Sequence, residues 1–279
     1  MASVSPITFH NGVRIPQVGL GVWQVPADEV QQTVETALEL GYRHIDGAAA
    51  YDNEEGVGAA LKATGVDRDD IFVTTKLRNG EQGYESALKA FDDSRKRLGL
   101  DVIDLYLIHW PSPKRDLYVE TWKAFEKLYE EGAVRAVGVA NFLPEYLDRI
   151  IGEASIKPMV NQFELHPTFQ QADVEAASKD AGLAVQAYSP LGRGDDLNAP
   201  EVKEIADRIE ATPAQVILAW HLAKGRIIIP KSTNPDRMAE NLSSADVHLS
   251  ADDITLIDSL EAGNMVVLDP REVELSQIR

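Results

Sequence analysis

The chain contains no cysteine. That excludes disulfides, thiolate metal sites and a cysteine nucleophile together. It also lacks an apolar run long enough to cross a membrane as a helix. Its opening residues, "MASVSPITFH", show neither a basic leader nor a long apolar stretch. No secretory signal and no membrane anchor are therefore expected, and the default address is cytoplasmic. Bases are scarce, 27 against 45 acids, for a formal net charge of −18. Nucleic acids and anionic membranes need a basic footprint, so neither is expected as a partner. An anionic ligand would require a local cluster of Lys and Arg to overcome that background. Histidine is sparse too, six residues in all, with no H-x-H spacing of the kind metals use.

What is present has the composition of a soluble globular protein, 44% hydrophobic and 26% charged. Near the start, the Asn11–Gly12 pair between extended segments predicts a β-hairpin. Strand-like and helix-like segments then alternate. Predicted strands are "GLGVW" from 19, "YRHID" from 42, "IFVTTKL" from 71 and "IDLYLIHW" from 103. Four more are "VRAVGVANF" from 134, "MVNQFEL" from 159, "AVQAYSPL" from 184 and "RIIIPKS" from 226. Between them Val30, Val34, Ala37 and Leu38 repeat with helical spacing up to Gly41, and Tyr118, Trp122, Phe125 and Tyr129 form a second stripe ended by Gly132. Thr212, Pro213 and Gln215 outline a capping box, and Ser250 with Asp253 repeats it.

Eight strand–helix units predict an α/β fold, a closed (β/α)8 TIM barrel with the N-terminal β-hairpin closing the bottom. The interval between the seventh and eighth strands is the longest and holds an extra helix, "PEVKEIADRIEA". No linker or composition shift divides the chain, so residues 1–279 are expected to form one domain, and a monomer. The rival, an open doubly wound sheet, wants G-x-G-x-x-G after an early strand. "GLGVW" and "GVGAA" supply only G-x-G.

A barrel places its chemistry at the C-terminal ends of its strands. Those ends read Trp23, Asp46, Lys76, His109, Trp110, Asn141, Gln162, Tyr188, Lys231 and Ser232. Charged groups at such depth are costly unless paired, and Asp46 and Lys76 sit on neighbouring strands. Tyr51 lies just beyond Asp46. An ammonium beside a phenol favours the phenolate and lowers the tyrosine pKa, as a proton donor near neutral pH requires. Each residue also has an ordinary explanation: an Asp that caps the next turn, a solvated Lys, a hydrogen-bonded structural His. It is their convergence on three consecutive strands that favours chemistry.

The motifs "GYRHID…Y" (41–51), "TTKL" (74–77), "DLYLIHWP" (104–111), "GVANF" (138–142), "VNQFELHP" (160–167), "AYSPLG" (187–192) and "IPKS…R..EN" (229–241) resemble the aldo-keto reductase superfamily over essentially the whole chain. The bacterial branch that includes the 2,5-diketo-D-gluconic acid reductases is the nearest likeness. The resemblance implies NADPH-dependent reduction of an aldehyde or ketone, a keto sugar acid or dicarbonyl among them. It makes Tyr51 the general acid, tuned by Lys76 and Asp46, with His109 orienting the carbonyl. Asn141 and Gln162 match positions that bind the nicotinamide carboxamide, Tyr188 the ring that stacks on it, and Leu191 a further cofactor contact. Lys231, Ser232 and Arg237 match the group that holds the 2′-phosphate, with Glu240 and Asn241 near the adenine. For Arg237, an exposed helix charge pair is the alternative. Trp23 and Trp110 would wall the substrate cleft, and no metal is implied.

Two departures stand out. Gly47 replaces the usual Thr or Ser, and Ala140 the serine of "GVSNF", which removes two hydroxyls from the inner site. Arg78 stands where an aromatic is frequent. It shares strand parity with Lys76, so it could face the mouth and favour carboxylate-bearing substrates; a solvated loop arginine is the competing reading. Gly194–Asp196 suits a loop folding over the cofactor or an ordinary surface turn. The tail from Glu261 matches nothing sharply, although tails in this family often help select substrate. A fold of this kind that binds NADP(H) as a sensor or subunit, with little turnover, is the alternative function. The intact Asp46, Tyr51, Lys76 and His109 set argues against it. A metal-dependent barrel hydrolase would need clustered His and Asp ligands that the sequence does not offer.

Overall fold

The alternation of the sequence closes into a ring of parallel strands. The computed structural model describes residues 5–273; residues 274–279, the end of the tail, lie outside that range. Eight strands pair in chain order, each parallel to the next. Numbered after the two strands of the hairpin, they are β3 (Leu20–Gly21), β4 (His44–Asp46), β5 (Phe72–Leu77), β6 (Ile103–Ile108), β7 (Val134–Ala140), β8 (Val160–Glu164), β9 (Ala184–Tyr188) and β10 (Ile227–Ile228). A bridge between Val18 and Ile228 joins the last strand to the first, with Gly19 N donating to Ile228 O and Ile228 N to Gln17 O, each at 2.8 Å. Every residue of β5 and β6 is buried, as expected where a sheet is covered on one face by helices and on the other by the barrel interior.

The seam strands β3 and β10 are shorter than their sequence segments predict. Pro230 has no N–H to continue the ladder. Gly21 approaches the facing backbone so closely that a Cβ there would lie 2.8 Å from Ile229 O.

Ten helices surround the ring among the described residues: α1 (Val30–Leu40), α2 (Glu54–Ala63), α3 (Tyr84–Leu98), α4 (Tyr118–Glu130), α5 (Pro144–Glu153), α6 (Ala172–Asp180), α7 (Pro200–Arg208), α8 (Pro213–Ala223), α9 (Pro235–Ser243) and α10 (Ala251–Asp258). In α1 all four residues of the predicted stripe are buried, and Gly41 ends the helix in the left-handed region at φ 107°. In α4 Tyr118, Trp122 and Phe125 are buried, while Tyr129 is only partly so. Both predicted capping boxes form, Thr212 with Gln215 and Ser250 with Asp253. The extra helix before the last strand is α7. None of the helices among the described residues is long and apolar enough to cross a membrane.

The hairpin, β1 (Ile7–Thr8) with β2 (Arg14–Ile15), covers the end of the barrel where the strands begin. Phe9 packs edge-on against Phe72 with ring centroids 6.5 Å apart, and Asn11 Nδ2 donates to Arg135 O at 3.0 Å. With that mouth plugged, the opposite mouth is left for ligands.

Candidate active site

Asp46 closes β4, Lys76 lies near the end of β5, and His109 directly follows β6. Asn141 follows β7, Tyr188 closes β9, and Lys231 stands beyond β10. Parallel strands in one ring bring all of these to the same face, where a cavity of about 660 Å³ opens. Of the residues nominated from sequence, all line that cavity except Lys76 and Arg78. Lys76 lies directly beneath it, fully buried.

The turn carrying Tyr51 is built from small side chains: Ala48, Ala49 and Ala50 are all buried. Asn53 fastens it to the neighbouring loop, donating from Nδ2 to Val22 O and Val25 O at 3.0 Å each. The Tyr51 hydroxyl then sits 3.4 Å from Lys76 Nζ. Lys76 also donates to Gly47 O at 2.8 Å and is ion-paired with Asp46 Oδ1. The second Asp46 oxygen accepts from Gln162 Nε2 at 2.8 Å and from Gln186 Nε2 at 3.4 Å. Burial disfavours the Lys76 ammonium, but Asp46 and the Tyr51 oxygen outweigh it and hold the Lys76 pKa above its ordinary value. Burial and the nearby Lys76 charge both push the His109 pKa well down, so its ring is neutral at pH 7. Its Nδ1 is buried without a hydrogen-bond partner among the described residues.

Two expectations need correction. Lys76 does pull the Tyr51 pKa down, but burial pushes it up more strongly and Asp46 adds to that push, so the net shift is upward. The phenol therefore keeps its proton at neutral pH, and the ammonium is placed to receive the charge left when that proton departs. Arg78 does not face the mouth. Its guanidinium bonds Ala49 O and pairs with Asp52, on either side of Tyr51. Parity carried its Cα the right way, but the Tyr51 turn, with Asp52 in the left-handed region at φ 54°, captures the side chain first.

Several polar groups have roles that residue type alone does not reveal. Gln162 lines the cavity while holding Asp46 from across the barrel. Asn141 donates from Nδ2 to His109 O at 2.9 Å and accepts from the Tyr188 hydroxyl at 2.8 Å. Its orientation is thus set without the hydroxyls that Gly47 and Ala140 lack. A Cβ on Gly47 would meet only ordinary contacts, 3.6 Å from Thr74 O, so close packing does not demand glycine there. Gln186 was missed, although a lone amide inside the apolar run "AVQAY" was the available signal. Arg193, 4.9 Å above the Trp23 ring, and Val267 and Leu268 in the tail also line the cavity and were missed.

At the other end, Lys231 and Arg237 are exposed and form no ion pair among the described residues, whereas Ser232 and Asn241 are buried. Asn234 caps α9 by accepting from the Arg237 amide at 3.0 Å. Glu240 accepts from the Thr212 hydroxyl. Two cations without an ion pair among the described residues, beside a helix N-terminus in a chain carrying −18, offer the local positive charge that an anionic ligand needs. Tyr188, Gln162 and Asn141 supply a ring face and amide groups between that site and Tyr51. A phosphorylated dinucleotide has the charge and the stacking chemistry that this cavity offers.

A family model described as "Aldo/keto reductase family" matches residues 16–195 and 196–262. An aldo-keto reductase of Mycolicibacterium smegmatis is 51% identical over 265 residues, 95% of this chain and 96% of that protein. Glyoxal reductase of Bacillus subtilis is 44% identical, over 96% of each. Among solved structures, a mutant of Gox0644 in complex with NADPH superposes with a TM-score of 0.93 at 44% identity, covering 97% of this chain and 98% of that one.

The buried ion pair can be tested by stability alone. Lys76→Met leaves Asp46 buried without its cation and is expected to destabilise the fold by about 3–5 kcal/mol in urea unfolding. Asp46→Asn combined with Lys76→Met should recover much of that loss. Equal loss in single and double variants would mean that the two groups are not coupled.

Proposed function

The chain belongs to the aldo/keto reductase family, and from that premise we propose that it reduces an aldehyde or ketone to an alcohol using NADPH, with Tyr51 as general acid. The observation that carries this reading is one cavity with two ends. Asp46, Lys76, Tyr51 and His109 converge at one, and Lys231 and Arg237 stand at the other without an ion pair among the described residues.

When bound, the reduced nicotinamide supplies the hydride that reaches the carbonyl carbon. The remaining work falls to this chain. His109, neutral, donates a ring N–H to the carbonyl oxygen and orients it. Tyr51 gives that oxygen its proton, and Lys76 stabilises the resulting phenolate, which water reprotonates. Asp46 keeps Lys76 charged. Asn141 and Gln162 would hold the carboxamide, Tyr188 and Leu191 the ring, Lys231, Ser232 and Arg237 the 2′-phosphate, and Glu240 and Asn241 the adenine.

The substrate end is walled by Trp23, Trp110, Val267 and Leu268, and Arg78 is already paired with Asp52. Neutral aldehydes and small dicarbonyls therefore fit better than keto sugar acids. The glyoxal reductase among the relatives agrees with that choice.

With NADPH and a panel of aromatic aldehyde, dicarbonyl and keto sugar acid, Tyr51→Phe should lower kcat by about 10²–10⁴-fold while leaving the NADPH Kd unchanged. Tight NADPH binding by the wild type without turnover on any substrate would favour a binding protein instead. Arg78→Ala should lower kcat severalfold on every substrate through the loosened Tyr51 turn. A change in the ratio of charged to neutral substrates would restore the carboxylate reading. Lys231→Ala and Arg237→Ala should each weaken NADPH by about tenfold, the loss of one charge-assisted contact. Fluorescence titration would detect it, and NADH binding should stay as it was.

A further inference from the structure

A second buried charge cluster lies beside the cavity and takes no part in the carbonyl chemistry. Glu164 ends β8, His166 lies two residues beyond it, and Asp196 belongs to the loop between β9 and α7; all three are buried. His166 Nδ1 lies 2.8 Å from Asp196 Oδ2, and its Nε2 lies 3.1 Å from Glu164 Oε1. A neutral imidazole has one N–H and one lone pair, so it can donate to only one of these carboxyl groups. Both contacts are satisfied when the ring is an imidazolium.

Each carboxyl group holds a different wall of the cavity. Glu164 accepts the backbone amides of Val266 and Val267, at 2.6 Å and 3.0 Å, and the tail continues from there into the cavity wall as Val267 and Leu268. Asp196 fixes the loop that carries Leu191, Arg193 and Leu197 into the same cavity. That loop is tightly wound. Gly192, Arg193 and Gly194 are consecutive residues with positive φ, and a Cβ on Gly192 would lie 2.8 Å from the Asp196 carboxyl carbon. Thr168 adds a parallel link, donating from its hydroxyl to Asp196 Oδ1 at 2.7 Å while its carbonyl accepts from Ala262 N and Asn264 N.

We propose that Glu164, His166 and Asp196 form one positioning clamp that makes the 189–198 loop and the 264–268 tail move together, so that release of the dinucleotide and reshaping of the carbonyl pocket are coupled. The dinucleotide half of this statement rests on the proposed use of NADPH; the mechanical half does not. Burial works against the charged ring, but the Asp196 and Glu164 contacts outweigh it and hold the His166 pKa at about 9. Of the other groups around the cluster, His221 on α8 is kept neutral by burial and by Arg226. The Tyr188 phenol, near Glu164, is pushed well above its ordinary value by burial. A histidine whose folded pKa is raised stabilises the fold fully below its unfolded value and loses that contribution as pH rises through the folded one. The clamp is therefore closed at neutral pH and opens through pH about 9.

The test uses the full chain with Asp196→Asn and Glu164→Gln, each of which keeps side-chain shape and removes one charge. Hydrogen exchange on the cofactor-free protein should show Val266 and Val267 amide protection falling by about tenfold in Asp196→Asn, although the substitution lies in the other wall. NADPH release, measured by stopped-flow fluorescence, should quicken by a similar factor of about ten in both variants. In the wild type the Val266 and Val267 amide shifts and the release rate should change together through pH about 9, and that step should vanish in Asp196→Asn. Unchanged tail protection in Asp196→Asn, or release that ignores Glu164→Gln, would overturn the clamp. If the variants fail to fold, the wild-type pH series decides alone, and no step near pH 9 overturns it. A wild type that does not bind NADPH would instead sink the cofactor reading, and the exchange result would still judge the clamp.

Discussion

The contact between Asp46 and Lys76 is the constraint around which the open end of the barrel is arranged. Two ions removed from water lose several kcal/mol of hydration each, and only close pairing with further hydrogen bonds recovers it. Here the further bonds come from Gly47 O, Gln162, Gln186 and Tyr51, spread over strands on opposite sides of the ring and the Tyr51 turn. The pair therefore ties the closure of the ring to the placement of the phenol. Stability and the proposed proton transfer draw on the same contacts, and Gln162 carries the linkage onward to the groups proposed to hold the nicotinamide.

Much of this was legible in the order of residues. A parallel barrel sends every strand end to one mouth, so Asp46, Lys76, His109, Asn141, Gln162 and Tyr188 group together on sequence order alone. The helices were readable from their stripes and caps because those signals are local. What escaped was whatever depends on competition across space. The direction of the Tyr51 shift comes from burial, reinforced by Asp46, set against the Lys76 charge. Arg78 was placed by parity, yet Asp52, well away in sequence, captures it. Asp196 meets Glu164 and His166 only because a loop folds back over a strand end, and no spacing encodes that. The seam strands shortened at Gly21 and Pro230, where backbone approach overrides a segment that reads as extended.

The charge pattern has a similar two-scale logic. A chain of −18 repels anions at a distance, but salt damps that field beyond about 8 Å. Inside that range Lys231 and Arg237 stand exposed at the cavity wall. The proposed anion would thus meet two local cations at a helix end, while the rest of the surface discourages polyanions with a wider footprint.

The seam between β3 and β10 lends the cavity a mechanical meaning. The ring is closed there by two-residue strands, one bridge and three backbone hydrogen bonds, Gly21 N to Pro230 O among them. Gly21 and Trp23 line the cavity from one side of the seam, and Ile229 to Ser232 from the other. A molecule lying in the cavity thus rivets the two ends of the chain together. Its binding energy adds to that of ring closure, so occupancy and folding of the terminal units become one equilibrium, and an empty barrel should fray first where its ligand would lie.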